Sequence, residues 1–79
     1  MTTPTVTAPT DTIPATVVAK DGWLPAVGNI VAADDGGAYR VLTRASRSSR
    51  AASSAVTLVR INWSDVAGID DEWIWHATL

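Results

Sequence analysis

Cysteine is absent from this sequence, and histidine and lysine occur once each. Without cysteine the chain forms no disulfide and no zinc site of the Cys2His2 type. No apolar run approaches the ~20 residues that a membrane-spanning helix needs, and the N-terminus lacks the basic and apolar stretches of a secretory signal. We therefore expect a chain that is made in the cytoplasm and does not enter a membrane.

Residues for catalysis and metal binding are also scarce. His76 is the single histidine, and on a strand it would lie roughly 13 Å from Glu72, too far for contact. The serines cluster in an arginine-rich stretch with nothing to orient a catalytic triad. The acidic runs Asp34-Asp35 and 70–72 lack the spacing of a calcium loop. We expect no enzyme, no metal site and no cofactor.

The chain is small, and its charges are segregated. A body of this size has a thin core that stabilises it by only ~3–5 kcal/mol, so association with a partner is the expected supplement. The net charge is −2, yet all five arginines lie between Arg40 and Arg60 while the acids lie outside that stretch. Segments of opposite sign favour contact between copies of the chain, so we expect an oligomeric or lattice-bound protein.

The N-terminal residues predict an extended arm. Pro4, Pro9 and Pro14 recur every five residues, and proline excludes helix while restraining the residue before it. We assign 1–19 to the arm, which adds to the sheet edge or groove of a neighbour. The arm residues expected to contact that partner are Val6, Ile13 and Val17.

The remaining residues, 20–79, predict a small β body. Turn signals at Asp21-Gly22 and 34–37 separate short apolar runs. The predicted strands cover 28–33, 38–44, 55–63 and 72–79, with a connector at 64–71 that includes one helical turn. Four or five short strands at this spacing imply an all-β fold, either a small antiparallel barrel or a sandwich.

The tryptophans suggest a core with one exposed member. Trp73 and Trp75 are two residues apart and would share one face of a strand. Together with Trp63 they predict an aromatic cluster inside the body. Four tryptophans are more than so small a body buries easily. Trp23, beside Pro25 at the arm junction, is the one expected to face a partner.

The segment 45–54 is rich in arginine and serine and predicts a loop. Three interpretations stay open: a solvated loop without function, a contact with the acidic 70–72 run of a neighbouring copy, and electrostatic contact with nucleic acid phosphates. Nucleic acid is disfavoured, because the chain is acidic and its aromatics lie elsewhere. Arg47 and Arg50 are the expected charged second binding site.

Part of the body resembles the SH3-like small barrels. The resemblance covers 27–31, the turn 35–37 and 39–42, where a glycine-containing strand turns tightly into a strand that begins with an aromatic residue. An arm followed by a small β body also resembles the decoration and minor structural proteins of tailed-phage virions.

That second resemblance implies a function. The chain would be a non-enzymatic capsid decoration, cement or minor capsid protein, located in the virion and bound to a larger structural protein such as a major capsid protein. The alternatives are a head–tail or tail accessory protein, a nucleic-acid-binding module that uses the arginine-rich loop, and an inhibitor of a host enzyme.

Overall fold

The computed structural model describes residues 12–66 and 68–79, which form five strands and two short 3₁₀ turns. The strands are β1 (Thr12–Val18), β2 (Ile30–Ala33), β3 (Ala38–Arg44), β4 (Ser53–Ile61) and β5 (Ile74–Thr78), and the turns are Trp63–Val66 and Asp71–Trp73. No helix in this described part is long and apolar enough to cross a membrane.

The five strands close into a small barrel in the order β1-β4-β3-β2-β5, with β5 returning to β1. The predicted all-β fold is confirmed, and of the two predicted architectures it is the barrel. Four of the strand pairings are antiparallel, whereas β2 and β5 pair in parallel and close the barrel. A parallel pair needs a long crossover connection, which the chain from β2 through β3 and β4 to β5 provides.

The second half of the predicted arm is a barrel strand, so the predicted boundary at residue 19 is wrong. Strand β1 pairs with β4 along its whole length and with β5 at Thr16 and Val17. Ala15 and Val17 are buried in the core, and Ile13 packs against it. Residues that alternate in this way stabilise the barrel by burying their apolar face, which a free arm would leave in water.

Proline is compatible with β1 because of its position in that strand. Pro14 pairs with Thr57 of β4 but precedes the two residues that pair with β5. A residue without an N–H is tolerated where a strand has only one neighbour. The extended geometry predicted from the prolines is therefore confirmed for residues 12–18.

The hairpin between β2 and β3 follows its turn signal. Gly36 has φ 85°, and its N–H donates to the carbonyl of Ala33 at 3.0 Å. A positive φ is accessible to glycine at little cost, so the turn forms where the sequence predicts it. Strand β3 spans the predicted residues, and Tyr39 and Val41 are buried on one face as expected.

The other strand limits differ from those predicted by about two residues. Strand β2 begins at Ile30 rather than Gly28, and β5 begins at Ile74 rather than Glu72. Gly28 belongs to the turn before β2, with φ 96°, and Glu72 to the 3₁₀ turn before β5. The predicted helical turn of the connector is the 3₁₀ turn Trp63–Val66.

The core lies inside the barrel and draws on every strand. Among its most deeply buried side chains are Val17 of β1, Val31 of β2, Val41 of β3 and Leu58 of β4. Trp75 and Ala77 of β5 complete this cluster together with Leu24 of the β1–β2 linker. Aliphatic residues dominate this core, and Trp75 is its one tryptophan. The other three tryptophans lie at the surface.

Candidate functional site

An open groove of about 540 Å³ lies at one end of the barrel. Its lining residues belong to three segments, which are the β1–β2 linker 20–29, the chain at 44–49 where β3 ends, and the residues 72–75 that lead into β5. Three of the four tryptophans line it, so we call it the tryptophan groove. Its walls are mainly apolar, and it opens to solvent at the barrel end opposite the β2–β3 hairpin.

A tight turn presents Trp23 to the groove. Lys20 and Trp23 exchange two backbone hydrogen bonds, at 2.8 and 3.0 Å, across the intervening Asp21-Gly22. Both turn residues have positive φ, 56° and 84°, which is the type I′ geometry that Asp-Gly favours. The turn leaves the Trp23 side chain 47% exposed, as the sequence predicted for a partner-facing residue.

Trp75 forms the buried end of the groove and fixes the linker above it. Its side chain is 8% exposed, and its indole N–H donates to the Trp23 carbonyl at 2.9 Å. One residue further on, the Leu24 N–H donates to the carbonyl of Ser49 in the β3–β4 loop. The linker is thus joined to both other walls of the groove, which makes this a pre-formed site.

Trp73 is exposed, so the predicted aromatic core cluster is wrong. The alternation that placed Trp73 beside Trp75 requires a strand, but Trp73 ends the 3₁₀ turn Asp71–Trp73 and β5 begins only at Ile74. Its side chain is 59% exposed and lines the tryptophan groove. Trp63 is also exposed, and its indole N–H donates to the Gly36 carbonyl at 3.0 Å near the opposite barrel end.

A β-bulge directs Arg44 into the groove. Val41 pairs with Leu58 and Arg44 pairs with Val56, with a register shift between Val41 and Thr43. Directly paired residues share a face, so Arg44 lies on the face of Val41 rather than on that of Arg40, where strict alternation along β3 would place it.

The Arg44 guanidinium is held by backbone carbonyls. Its Nη1 donates to the Pro25 carbonyl at 2.8 Å, and its Nε donates to the Ser46 carbonyl at 2.9 Å. These bonds tie the β1–β2 linker to the β3–β4 loop. Arg44 therefore acts as a structural brace, and the bonds direct its donors at the protein's own backbone rather than at a phosphate.

The arginine- and serine-rich segment forms a loop, as predicted, and it is organised by its serines. The hydroxyl of Ser54 accepts from the Ser46 N–H, and that of Ser46 accepts from the Ser48 N–H. The loop itself covers 45–52, because β4 already begins at Ser53.

The two arginines predicted as a second binding site differ in their surroundings. The guanidinium of Arg50 lies 4.2 Å from the centre of the Trp23 ring, in cation–π geometry. Arg47 is exposed elsewhere in the loop. The structure thus brings Arg50, but not Arg47, to the tryptophan that the sequence singled out.

The predicted arm contacts are not gathered at this site. Val6 lies outside the described residues. Val17 has no exposed surface in the barrel core, and Ile13 packs against the same core. The assignment of Val17 as a partner contact is wrong, because its whole side chain is used by the chain's own barrel, whereas the assignment of the half-buried Ile13 stays a prediction.

The lining of the groove includes charges of both signs, Lys20 and Arg44 against Asp21 and Glu72. Histidine and cysteine are absent from its described lining, and His76 is exposed on β5. No group of three or more histidine, cysteine, aspartate or glutamate side chains among the described residues is placed to hold a metal ion. The groove therefore combines exposed indole surface with charged side chains of both signs.

Comparisons with protein-family models, with curated proteins and with solved structures find no match to this chain.

Proposed function

We propose that this chain is a non-enzymatic structural protein of a virion that docks onto a larger structural protein through its tryptophan groove. The observation that carries the docking role is the exposure of two indoles, Trp23 and Trp73, on a groove whose buried end is a third. Tryptophan is the side chain most enriched where protein interfaces bind tightly, and exposed indoles beside a concave site are typical of a docking surface.

The rigidity of the groove supports docking as well. Bonds from Trp75, Arg44 and Leu24 hold the linker in place before any partner arrives. A pre-organised site loses little conformational entropy on binding, so more of the contact energy is available as affinity. Repeated over a lattice of copies, modest contacts of this kind sum to firm attachment.

The virion setting follows from the resemblance to decoration and minor structural proteins of tailed phages. The small barrel and the absence of any catalytic arrangement in the tryptophan groove are compatible with that role. The same docking contact would also suit an accessory protein of the head–tail junction or of the tail, so this location is the alternative. A role in nucleic acid binding is less well supported, because Arg44 and Arg50 are directed at the Pro25 carbonyl and the Trp23 ring.

The test is affinity purification of the tagged full chain from infected cells, with mass spectrometry of what it retains. Wild type and Trp63→Ala should retain a major virion structural protein, whereas Trp73→Ala should lose it. Trp63 is a matched control, since it is a comparably exposed tryptophan at the other end of the barrel. Retention of the same structural protein by Trp73→Ala would overturn the proposed docking face, and recovery of nucleic acid alone would overturn the structural role.

A further inference from the structure

We infer that the tryptophan groove of one copy receives residues 1–11 of a second copy, so that the chain associates head to tail. This inference rests on the proposed function, because an open row of copies leaves the groove of its last copy unfilled, and that groove docks onto the larger structural protein. Four features of the described residues and of the sequence lead to it.

The shape of the site requires an extended occupant. The groove is a concave channel between three chain segments, with Trp23 and Trp73 exposed along it. Two such grooves placed face to face would leave a void between them, and a void forfeits the contacts that close packing supplies. A protruding chain segment fills the channel, whereas the same face of another copy does not.

The chemistry of residues 1–11 matches the walls. Its first ten residues carry no charged side chain, and they include Pro4, Val6 and Pro9. Proline rings and aliphatic side chains pack on indole faces, and proline-containing segments lose little entropy on binding because φ is already restricted. The charged side chains in the groove lining, Lys20 and Arg44 against Asp21 and Glu72, are two of each sign, so the groove does not select an occupant of either charge.

The topology places Thr12, to which residues 1–11 are joined, and the groove at opposite ends of the barrel. Residues 1–11 join the barrel at Thr12, and β1 then runs to Val18, next to the linker that forms the groove. The length of β1 separates the two ends by about 20 Å.

That separation favours contact between copies over contact within one copy. A segment of eleven residues spans at most about 36–40 Å when fully extended. To reach the groove of its own copy, the segment would have to run back along β1, and that distance takes more than half of its length. The groove of a second copy placed beyond Thr12 is approached directly. Because the donated segment and the receiving groove are different surfaces, the contact is heterologous and repeats into a ring or a row.

The experiment uses two full-length variants that disable opposite halves of the contact. Trp73→Ala removes a groove wall and keeps the segment, whereas Val6→Asp places a charge in the segment and keeps the groove. Sedimentation of each protein is measured over a concentration series. We expect wild type to form species larger than a dimer, and each variant alone to lose at least about 30-fold in association affinity, as for a hot-spot residue.

The mixture of the two variants is the decisive sample. It contains one intact segment and one intact groove on different chains, so it should form a species of two chains and no larger one. Leu42→Ala and Thr16→Asp, which remove an exposed apolar side chain and add an exposed charge on the side of the barrel, away from both the groove and Thr12, should associate as wild type does. Raising the salt concentration should leave the association unchanged, because the segment carries little charge.

The inference is overturned if wild type stays monomeric at millimolar concentration, if either variant associates like wild type, or if the mixture stays monomeric. A mixture that assembles beyond two chains overturns it too. The two proposals fail separately. If Trp73→Ala loses the larger virion protein while the mixture stays monomeric, the groove is a docking site for that protein and only the segment is wrongly identified. If the mixture forms the species of two chains while Trp73→Ala still retains the virion protein, the proposed docking face is wrong and the contact between copies stands.

Discussion

The Tyr39 hydroxyl donates a 2.7 Å hydrogen bond to the Asp35 carboxylate, joining the first residues of β3 to the β2–β3 turn. The second carboxylate oxygen of Asp35 accepts from the Gly37 N–H at 2.7 Å, and the Arg60 guanidinium lies 5.6 Å from the centre of the Tyr39 ring. The hydrogen bonds from Tyr39 and Gly37 lower the pKa of Asp35, while the bond to Asp35 raises the pKa of Tyr39.

This pair should make stability depend on pH in acid and in alkali. The folded pKa of Asp35 lies below its unfolded value, so its contribution is present above about pH 4 and is lost as pH falls through the folded pKa. The folded pKa of Tyr39 lies above its unfolded value, so its contribution is present below about pH 10 and is lost as pH rises through the folded pKa. Tyr39→Phe should flatten both slopes in urea unfolding measured across the pH range.

The control is Asp65→Asn, which alters an exposed aspartate outside the hairpin and should leave the difference between neutral and acid stability nearly as in wild type. If Tyr39→Phe unfolds with the same acid dependence as wild type, the hydrogen bond does not stabilise the folded carboxylate.

Neighbouring valines of β1 test whether this strand belongs to the barrel. Val17 has no exposed surface, whereas Val18 is 54% exposed on the other face. Val17→Ala should lower the free energy of unfolding by about 2 kcal/mol, from lost burial and the cavity left behind. Val18→Ala should change it by less than about 0.5 kcal/mol, as is usual at the surface. Equal effects in denaturant unfolding would mean that β1 does not pack as described.

The position of β1 shows what sequence reasoning about this fold could and could not reach. Proline spacing predicted extended backbone, and 12–18 is extended. That spacing carries no information about which chain the strand pairs with, because extended backbone serves an arm and a barrel equally. The alternation Ile13, Ala15, Val17 was the available signal for burial, and in so short a run the small Ala15 makes it weak.

The hairpin and the groove differ in predictability for a physical reason. The turns at 34–37 and at Asp21-Gly22 are local, since their positive φ values fall on glycine and aspartate, residue types that tolerate this geometry, and both turns are predicted from the sequence. The groove depends on non-local events, namely the bulge that redirects Arg44 and the late start of β5 that exposes Trp73. Strict alternation along a sequence does not reveal a β-bulge or a 3₁₀ turn, so it predicts the wrong face for Arg44 and for Trp73.

Arg44, the last residue of β3, is a structural arginine, whereas Arg47 in the loop that follows is exposed. Arg44→Met should lower the free energy of unfolding by about 1–3 kcal/mol, because charge-assisted bonds to two carbonyls are lost and those carbonyls need new partners. Arg47→Met removes the same charge from an exposed position and should cost less than about 0.5 kcal/mol. Guanidinium chloride unfolding of both variants measures the difference, and a larger effect at Arg47 would contradict the brace.

The turn that presents Trp23 should be sensitive to one of its two residues only. Gly22 has φ 84°, where a β-carbon costs about 1–2 kcal/mol, so Gly22→Ala should destabilise the protein by about that amount. The added methyl meets no atom closer than 3.5 Å, the Arg50 Nη2, so the cost arises from the backbone rather than from a clash. Asp21→Asn should be nearly neutral, because asparagine tolerates the same left-handed geometry. Thermal unfolding of the two variants gives the comparison. If Gly22→Ala proves as stable as Asp21→Asn, the type I′ turn is not what holds Trp23 at the groove.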